Sequence, residues 1–303
     1  PDFTWIKRRD SAGDHWVVDA VRGTSKILSP NQTQADESTT MVSAFNSDGF
    51  TLNTNNNAWN GSGNSYVAWN WDMGGTTASN TSGSITSSVR ASTTYGQSIV
   101  THTGTGSLST VGHGLSQTPT FIITKKRSAS SAWSVQHHEM MTSSTGKLLL
   151  ESTAGVVASS TAYMFSATSS VFSPIYTNSG VTMISYCFHD VTGYSKFGSY
   201  TGNGSTTGPV VTLGFSPAFV MIKRTDAGDQ WIMLDNTRSP SGLAQEWLAA
   251  ESSNAEASGT SNNVQFSSTG FQPVGVDGMV NASSGTYIYM AFADTREYAY
   301  WLD

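Results

Sequence analysis

The sequence holds a single cysteine, Cys187, in 303 residues. That excludes an intrachain disulfide and leaves no second thiolate for a metal site, so stability must come from packing and strand ladders. Charge is scarce too, at 12% of residues, about half the ~25% of an average soluble chain. Lysine and arginine number 15 against 21 aspartates and glutamates, a formal charge of −6. Too few cations remain to build a phosphate-tracking stripe, which argues against a nucleic-acid partner. The longest apolar runs, such as Tyr287–Ala293, fall far short of the ~20 residues that span a bilayer, so no membrane insertion is expected.

What the chain does have is aromatic mass and uncharged polarity. Nine tryptophans, 11 tyrosines and 13 phenylalanines supply large side chains whose burial can repay the ordering of the backbone, and the low charge argues against disorder. Serine, threonine, asparagine and glycine fill most of the rest. At 32.2 kDa the chain exceeds the ~100–150 residues that one core usually serves, so two or three units are expected.

An internal repeat supplies them. Phe3–Arg8, Phe121–Lys126 and Phe219–Arg224 share one pattern, an apolar run closed by two cations. Each is followed by a tryptophan (Trp16, Trp133, Trp231), a turn phenylalanine (Phe50, Phe172, Phe271) and an aromatic strand ending near Asp72, Asp190 or Asp294. Four landmarks recurring in one order define three copies: residues 1–72, 95–190 and 191–303. Residues 73–94, dominated by Gly, Ser, Thr and Asn, read as a linker whose deletion should leave the flanking units intact. Copies two and three each carry a preceding segment, Ser98–Leu115 and Gly198–Phe215, that copy one lacks. Copy one is therefore expected to be truncated at its start, with the missing strands upstream in a longer parent chain or removed from it.

Short runs rich in Val, Ile, Thr and aromatics, separated by Gly, Asn, Ser and Asp, predict an all-β fold of tandem antiparallel sandwich units, jelly-roll or lectin-like, with little helix. The best helical stretch is Gly242–Glu251, which reads equally as an irregular crossing. Aligned on the closing aspartates, one face of the last strands holds Tyr66, Ala68 and Asn70, then Ile184, Tyr186 and Phe188, then Ile288, Met290 and Phe292, and is expected to be the core face. The opposite face carries Trp69 and Trp71 in copy one. Those two either pack under a loop or against a neighbouring chain, or they stack on a sugar ring or receptor.

Candidate chemistry is thin. His137, His138 and Glu139 stand together, but neighbours on a strand point to opposite faces and do not converge on one ion. His15, His102, His113 and His189 offer no ligand spacing. Asp19 with Arg22 and Asp235 with Arg238 recur in copies one and three, with Gln136 at about the equivalent place in copy two, and suit ion pairs that brace turns. No Gly-x-Ser-x-Gly elbow or phosphate loop stands in the required context, and no pair of carboxyls can be assigned to glycoside hydrolysis. The reading is non-catalytic, with no metal and no cofactor.

Gly83–Ser92, Ser98–Ser107, Tyr194–Ser205, Pro217–Thr225 and Asn281–Asp294 resemble a repeat domain widespread in tailed bacteriophages, many of them from marine and cyanobacterial hosts. The resemblance covers nearly the whole chain. Such domains occur in long virion proteins, often tail fibres, and often beside concanavalin A-like lectin modules. The resemblance implies a virion setting and carries over no site residue. The expected function is that of a structural component of a phage virion appendage, a tail fibre or host-adhesion protein. A head-decoration protein and a glycan-degrading tail enzyme are the alternatives. Expected partners are other copies of the chain, with a trimer favoured by analogy to phage fibres, other virion proteins and a host surface glycan. Aromatics beside Asn, Ser and Thr on loop tips make Trp59, Trp69 and Trp71 the candidate contacts.

Overall fold

The structure, a computed structural model, describes residues 1–53, 55–143, 146–158 and 166–294. The fold is all-β; among the described residues the only helices are Gly278–Asn281 and the 3-10 turn His138–Ser143. Copy one contributes β1 (Phe3–Arg8), β2 (His15–Asp19) and β3 (Tyr66–Trp71), in the order β2-β1-β3. The second sheet holds β4 (Ala78–Asn80), β5 (Ser87–Ser92), β6 (Gln97–Thr103), β7 (Phe121–Lys126), β8 (Ser134–His137), β9 (Gly146–Leu149), β10 (Val157–Ala158) and β11 (Thr182–Phe188). Its order is β10-β9-β8-β7-β11-β6-β5-β4. The third holds β12 (Ser195–Thr201), β13 (Phe219–Arg224), β14 (Ile232–Asp235), β15 (Glu246–Ala249), β16 (Ala257–Ser258) and β17 (Thr286–Phe292), in the order β12-β17-β13-β14-β15-β16.

Three strand triplets share one register. Phe3 lies opposite Asp19 and Trp71, Phe121 opposite His137 and Phe188, and Phe219 opposite Asp235 and Phe292. Their first strands bury residues on both faces, a pattern that requires cover on each side. The outer faces lie under smaller sheets. Ile6 and Val18 meet Met41, Val42 and the hairpin Val42–Leu52; Ile122 and Cys187 meet Val111 and Phe172; Tyr289 packs edge-on against Phe271 with ring centroids 5.3 Å apart. The inner faces meet one another in a shared aromatic core. There Phe3 touches Tyr186 at 4.6 Å, Phe219 touches Trp71 at 5.7 Å, and Phe292 lies 5.8 Å from Trp71 and 5.9 Å from Phe188.

The triplets close into a ring of threefold pseudosymmetry. The Asp36 amide donates to the Arg127 carbonyl (2.7 Å), the Val156 amide to Thr225 (2.8 Å) and the Glu256 amide to Arg9 (2.8 Å). A second set repeats the cycle: Ser131 to Thr33 at 2.8 Å, Asp229 to Thr153 at 2.7 Å and Gly13 to Ser253 at 2.8 Å. Copy one clasps copy two, two clasps three, and three clasps one. The units therefore do not run end to end.

Two further expectations are corrected. Residues 73–94 are not a linker, because β4 and β5 lie within them and extend the second sheet beyond β6. Two of their glycines serve close packing: a Cβ on Gly74, at φ 102°, would strike the Ala91 carbonyl, and one on Gly83 the Thr110 carbonyl. Met73 is buried and Arg90 is paired with Asp2, so deleting the segment would strip an edge from the sheet. Gly242–Glu251 is also not helical; it holds the short strand Leu243–Ala244 and β15.

Candidate functional site

The polar side chains with the greatest chemical potential lie at the three joints of the ring. Lys7, Lys125 and Lys223 occupy one equivalent position, each fully buried. Lys125 Nζ donates to the Ser131 carbonyl at 2.7 Å and across the joint to Thr33 at 2.8 Å; Lys223 donates to Asp229 at 2.7 Å and to Thr153 at 3.0 Å. Lys7 repeats the motif on Arg8 at 2.7 Å and Ser253 at 3.4 Å. Burial pushes each amine down to about 8. Such a lowered pKa can mark a nucleophile, but here the ammonium is aimed at carbonyl dipoles from two copies and staples them together.

Asp19 and Asp235 repeat the theme with carboxylates. Arg22 Nε lies 2.5 Å from Asp19 Oδ2, and Tyr186 of copy two donates its hydroxyl to the same oxygen at 2.9 Å. Asp36 then bridges Arg22 at 3.3 Å and Arg127 at 2.8 Å. In copy three Arg238 Nε lies 2.6 Å from Asp235 Oδ2, which accepts the Trp69 indole N–H at 3.0 Å. Glu256 bridges Arg238 at 2.9 Å and Arg9 at 2.7 Å. These pairs brace more than turns, since each reaches into the next copy.

Copy two departs from that scheme. The residue opposite Phe121 is His137, one place beyond Gln136. Burial, then the neighbouring His138, pushes the His137 imidazole down to about 3, against a smaller opposite pull from the Tyr289 backbone. His137 stacks on His138 with centroids 4.9 Å apart, so the two do not face opposite ways; the chain leaves the strand for the 3-10 turn between them. His138 Nε2 lies 2.9 Å from the Phe197 carbonyl and 3.7 Å from the Glu139 carboxylate, and the Glu139 amide donates to His137 Nδ1 at 3.1 Å. Among the described residues no three His, Cys, Asp or Glu side chains gather as a metal site. His15 stands where copies two and three have Trp133 and Trp231, one place before Trp16. It accepts the Trp5 indole N–H at 2.8 Å and contacts the Ala249 carbonyl at 3.0 Å, while Trp231 donates to Leu149 at 2.9 Å.

The tryptophans divide. Trp69 and Trp71 are 7% and 6% exposed, belong to the inner core against copy three and lie at the base of the cleft beside β3. Alignment on the closing aspartates had placed them on the outer face. The ladder instead sets Trp71 level with Phe188 and Phe292, because Asp72 follows its strand one residue sooner than Asp190 and Asp294 do. The Arg238 guanidinium lies 5.4 Å from the Trp69 ring centroid, a partnership no sequence spacing signals. Trp59 is different. Half-buried, it packs edge-on against Trp16 at 6.1 Å and lines an open groove of about 480 Å³ with Ser38, Thr39, Thr40, Asn55 and Asn56. A larger cleft, about 650 Å³, runs beside β3, with walls from Phe219, Asn236, Phe292 and Asp294.

The described residues form an aromatic-cored β-ring whose buried lysines and aspartate–arginine pairs lie at its joints, with the Trp59 groove on its outside. Residues 1–296 match the family described as a domain of unknown function, DUF7483, and the chain belongs to that family. No curated protein and no solved structure matches it.

Proposed function

We propose that this chain is a non-catalytic structural and adhesive component of a bacteriophage virion appendage, a tail fibre or host-adhesion protein. The supporting observation is the division of labour among its polar groups. The three lysines, both aspartate–arginine pairs and His15 hold copies together, while the Trp59 groove presents an indole beside Ser, Thr and Asn. An aromatic platform ringed by neutral hydrogen-bonding groups suits the apolar face and hydroxyls of a neutral glycan. The virion setting rests on the resemblance of Ser98–Ser107, Tyr194–Ser205 and Asn281–Asp294 to phage repeat domains.

The ring places three equivalent units about one axis within a single chain, which suits a threefold appendage. Association with further copies is proposed alongside it. The test has two arms. Antibody labelling of intact particles should place the chain on a tail appendage, and an array of neutral host-type glycans should show binding that Trp59→Ala weakens at least about tenfold, a loss of ~1.4 kcal/mol. Labelling on the capsid would favour head decoration, and reducing ends released from host capsule would favour an enzyme; either result overturns the proposal, as does glycan binding indifferent to Trp59→Ala.

A further inference from the structure

Each joint of the ring carries one aromatic N–H across to the neighbouring copy at an equivalent place. Trp133 donates its indole N–H to the Ser29 carbonyl at 2.9 Å and to Gln32 at 3.1 Å, and Trp231 donates to Leu149 at 2.9 Å. At the third-to-first joint the group in this place is His15, whose Nε2 lies 3.0 Å from the Ala249 carbonyl. His15 stands opposite Lys7, and continuing the other two ladders by one residue sets Trp133 opposite Lys125 and Trp231 opposite Lys223. Of the three equivalent donors, His15 alone can titrate. It is also matched to a neighbour: Trp5 beside it replaces Ile123 and Met221 of the other copies.

The partners of His15 fix its protonation. A carbonyl only accepts, so the ring carries its proton at Nε2, toward Ala249. Nδ1 is then the acceptor, and it takes the Trp5 indole N–H, a group that only donates, at 2.8 Å. Both nitrogens are occupied in the neutral form, and no carboxylate among the described residues bonds to either. A second proton has one place to go, Nδ1, where it would meet the Trp5 N–H and leave that buried donor without an acceptor. Burial, then Lys7 of β1, hold the imidazole down to about 3; Arg238, from the segment after β14, adds to them, and the Ala249 and Ser252 backbone pulls the other way. The acid nearest these cations, Glu256, is held below its ordinary value by Arg9 and Arg238 against the opposing effect of burial, so it keeps its charge in mild acid.

We propose that His15 is an acid-operated latch on the third-to-first joint. A proton taken from solvent at Nδ1 expels the Trp5 N–H and releases residues 9–15 of copy one from residues 249–256 of copy three. The first-to-second joint stays shut, because the donor in its equivalent place is an indole and takes up no proton. The backbone bonds that the latch governs are Gly13 to Ser253 and Glu256 to Arg9, both 2.8 Å. This device is separate from the Trp59 groove and does not rest on the adhesive reading.

Hydrogen exchange on the full chain at pH 7 and pH 4.5 tests it, with protection expressed relative to an unstructured peptide so that the intrinsic pH dependence cancels. The amides of Gly13 and Glu256 report the third-to-first joint, and those of Asp36 and Ser131 the first-to-second. An opened joint returns the imidazole to its ordinary value of about 6.5, so protection at Gly13 and Glu256 should fall about fiftyfold to a hundredfold over that interval. That fall should exceed the one at Asp36 and Ser131 at least about tenfold. Two variants should each abolish the excess: Trp5→Ile/His15→Trp, which installs the Ile123–Trp133 pair of copy two, and His15→Gln, which keeps a neutral donor. Equal losses at the two joints of the unaltered chain overturn the proposal, a comparison that holds even if neither variant folds. An undiminished excess in either folded variant overturns it too.

Discussion

The first-to-second and third-to-first joints of the ring are built from charge, whereas the second-to-third joint is not. Asp19, Arg22, Asp36 and Arg127 form one chain of ion pairs, and Asp235, Arg238, Glu256 and Arg9 form its counterpart. Their equivalents in the remaining joint are His137, Met140, Val156 and Thr225. All four positions changed together, yet the backbone hydrogen bond across that joint is 2.8 Å long, against 2.7 and 2.8 Å in the other two. Main-chain bonds and the buried lysines therefore set the geometry, and the charged network is one of two ways to fill the space beside it. A buried ion pair that lost one partner would leave an uncompensated charge, so these positions can only change as a group.

The largest expected effect comes from acid, which acts on the buried imidazoles, His137 of the second-to-third joint among them. Burial holds His15 and His137 near 3 and His102 near 4 in the folded chain, against about 6.5 when unfolded. Between those values the unfolded state binds more protons, so stability falls as pH drops below about 6.5. At pH 4.5 the loss is roughly 2–3 kcal/mol for each of these imidazoles. Raised carboxyls at Glu151, Glu251 and Asp190, all shifted by burial, act in the opposite sense above their ordinary values and offset part of it. Denaturant midpoints measured from pH 7 to pH 4.5 should therefore fall, and His137→Asn should flatten the curve. A slope unchanged in that variant would show that the joint does not feel acid.

Next in size are substitutions that separate the two kinds of joint at pH 7. Asp19→Asn and Asp235→Asn each leave a buried guanidinium facing a neutral amide and should cost about 3–5 kcal/mol. His137→Asn exchanges one neutral group for another and should cost about 1–2 kcal/mol. Urea unfolding compares them directly, and equal losses would erase the distinction. Smallest is Val156→Asp. It restores the acid of the other joints without their arginines, at a side chain 38% exposed, and the midpoint should move by no more than about 0.5 kcal/mol.

Much of this architecture was legible in the chain. The recurrence of Phe3–Arg8, Phe121–Lys126 and Phe219–Arg224 located the three inner strands, and their apolar, β-branched composition named the fold class. Side-chain facing was read correctly for β11 and β17 but reversed for β3, because the landmark chosen to align them sits one residue nearer the strand in copy one, and a one-residue slip inverts every side chain. The same slip substituted Trp16 for His15 and Gln136 for His137. Residues 73–94 misled for another reason. Gly and Ser signal flexibility in a linker and close backbone approach in a sheet, and composition does not tell the two apart. Of the three tryptophans singled out as contacts, Trp59 is half-buried in a groove while Trp69 and Trp71 are buried at the base of the cleft beside β3, since exposure depends on which distant strand lies opposite.

From the order of its residues alone the chain determined its class, its triplication and the two cations that close the first apolar run of each copy, because period and hydrophobicity are local properties. Only the tertiary structure decided that the copies close into a ring and that the cations staple neighbours. Those outcomes depend on contacts such as Lys7 with Ser253 and Glu256 with Arg9, between groups nearly the whole chain apart, where no sequence spacing records which carbonyl a buried charge will find.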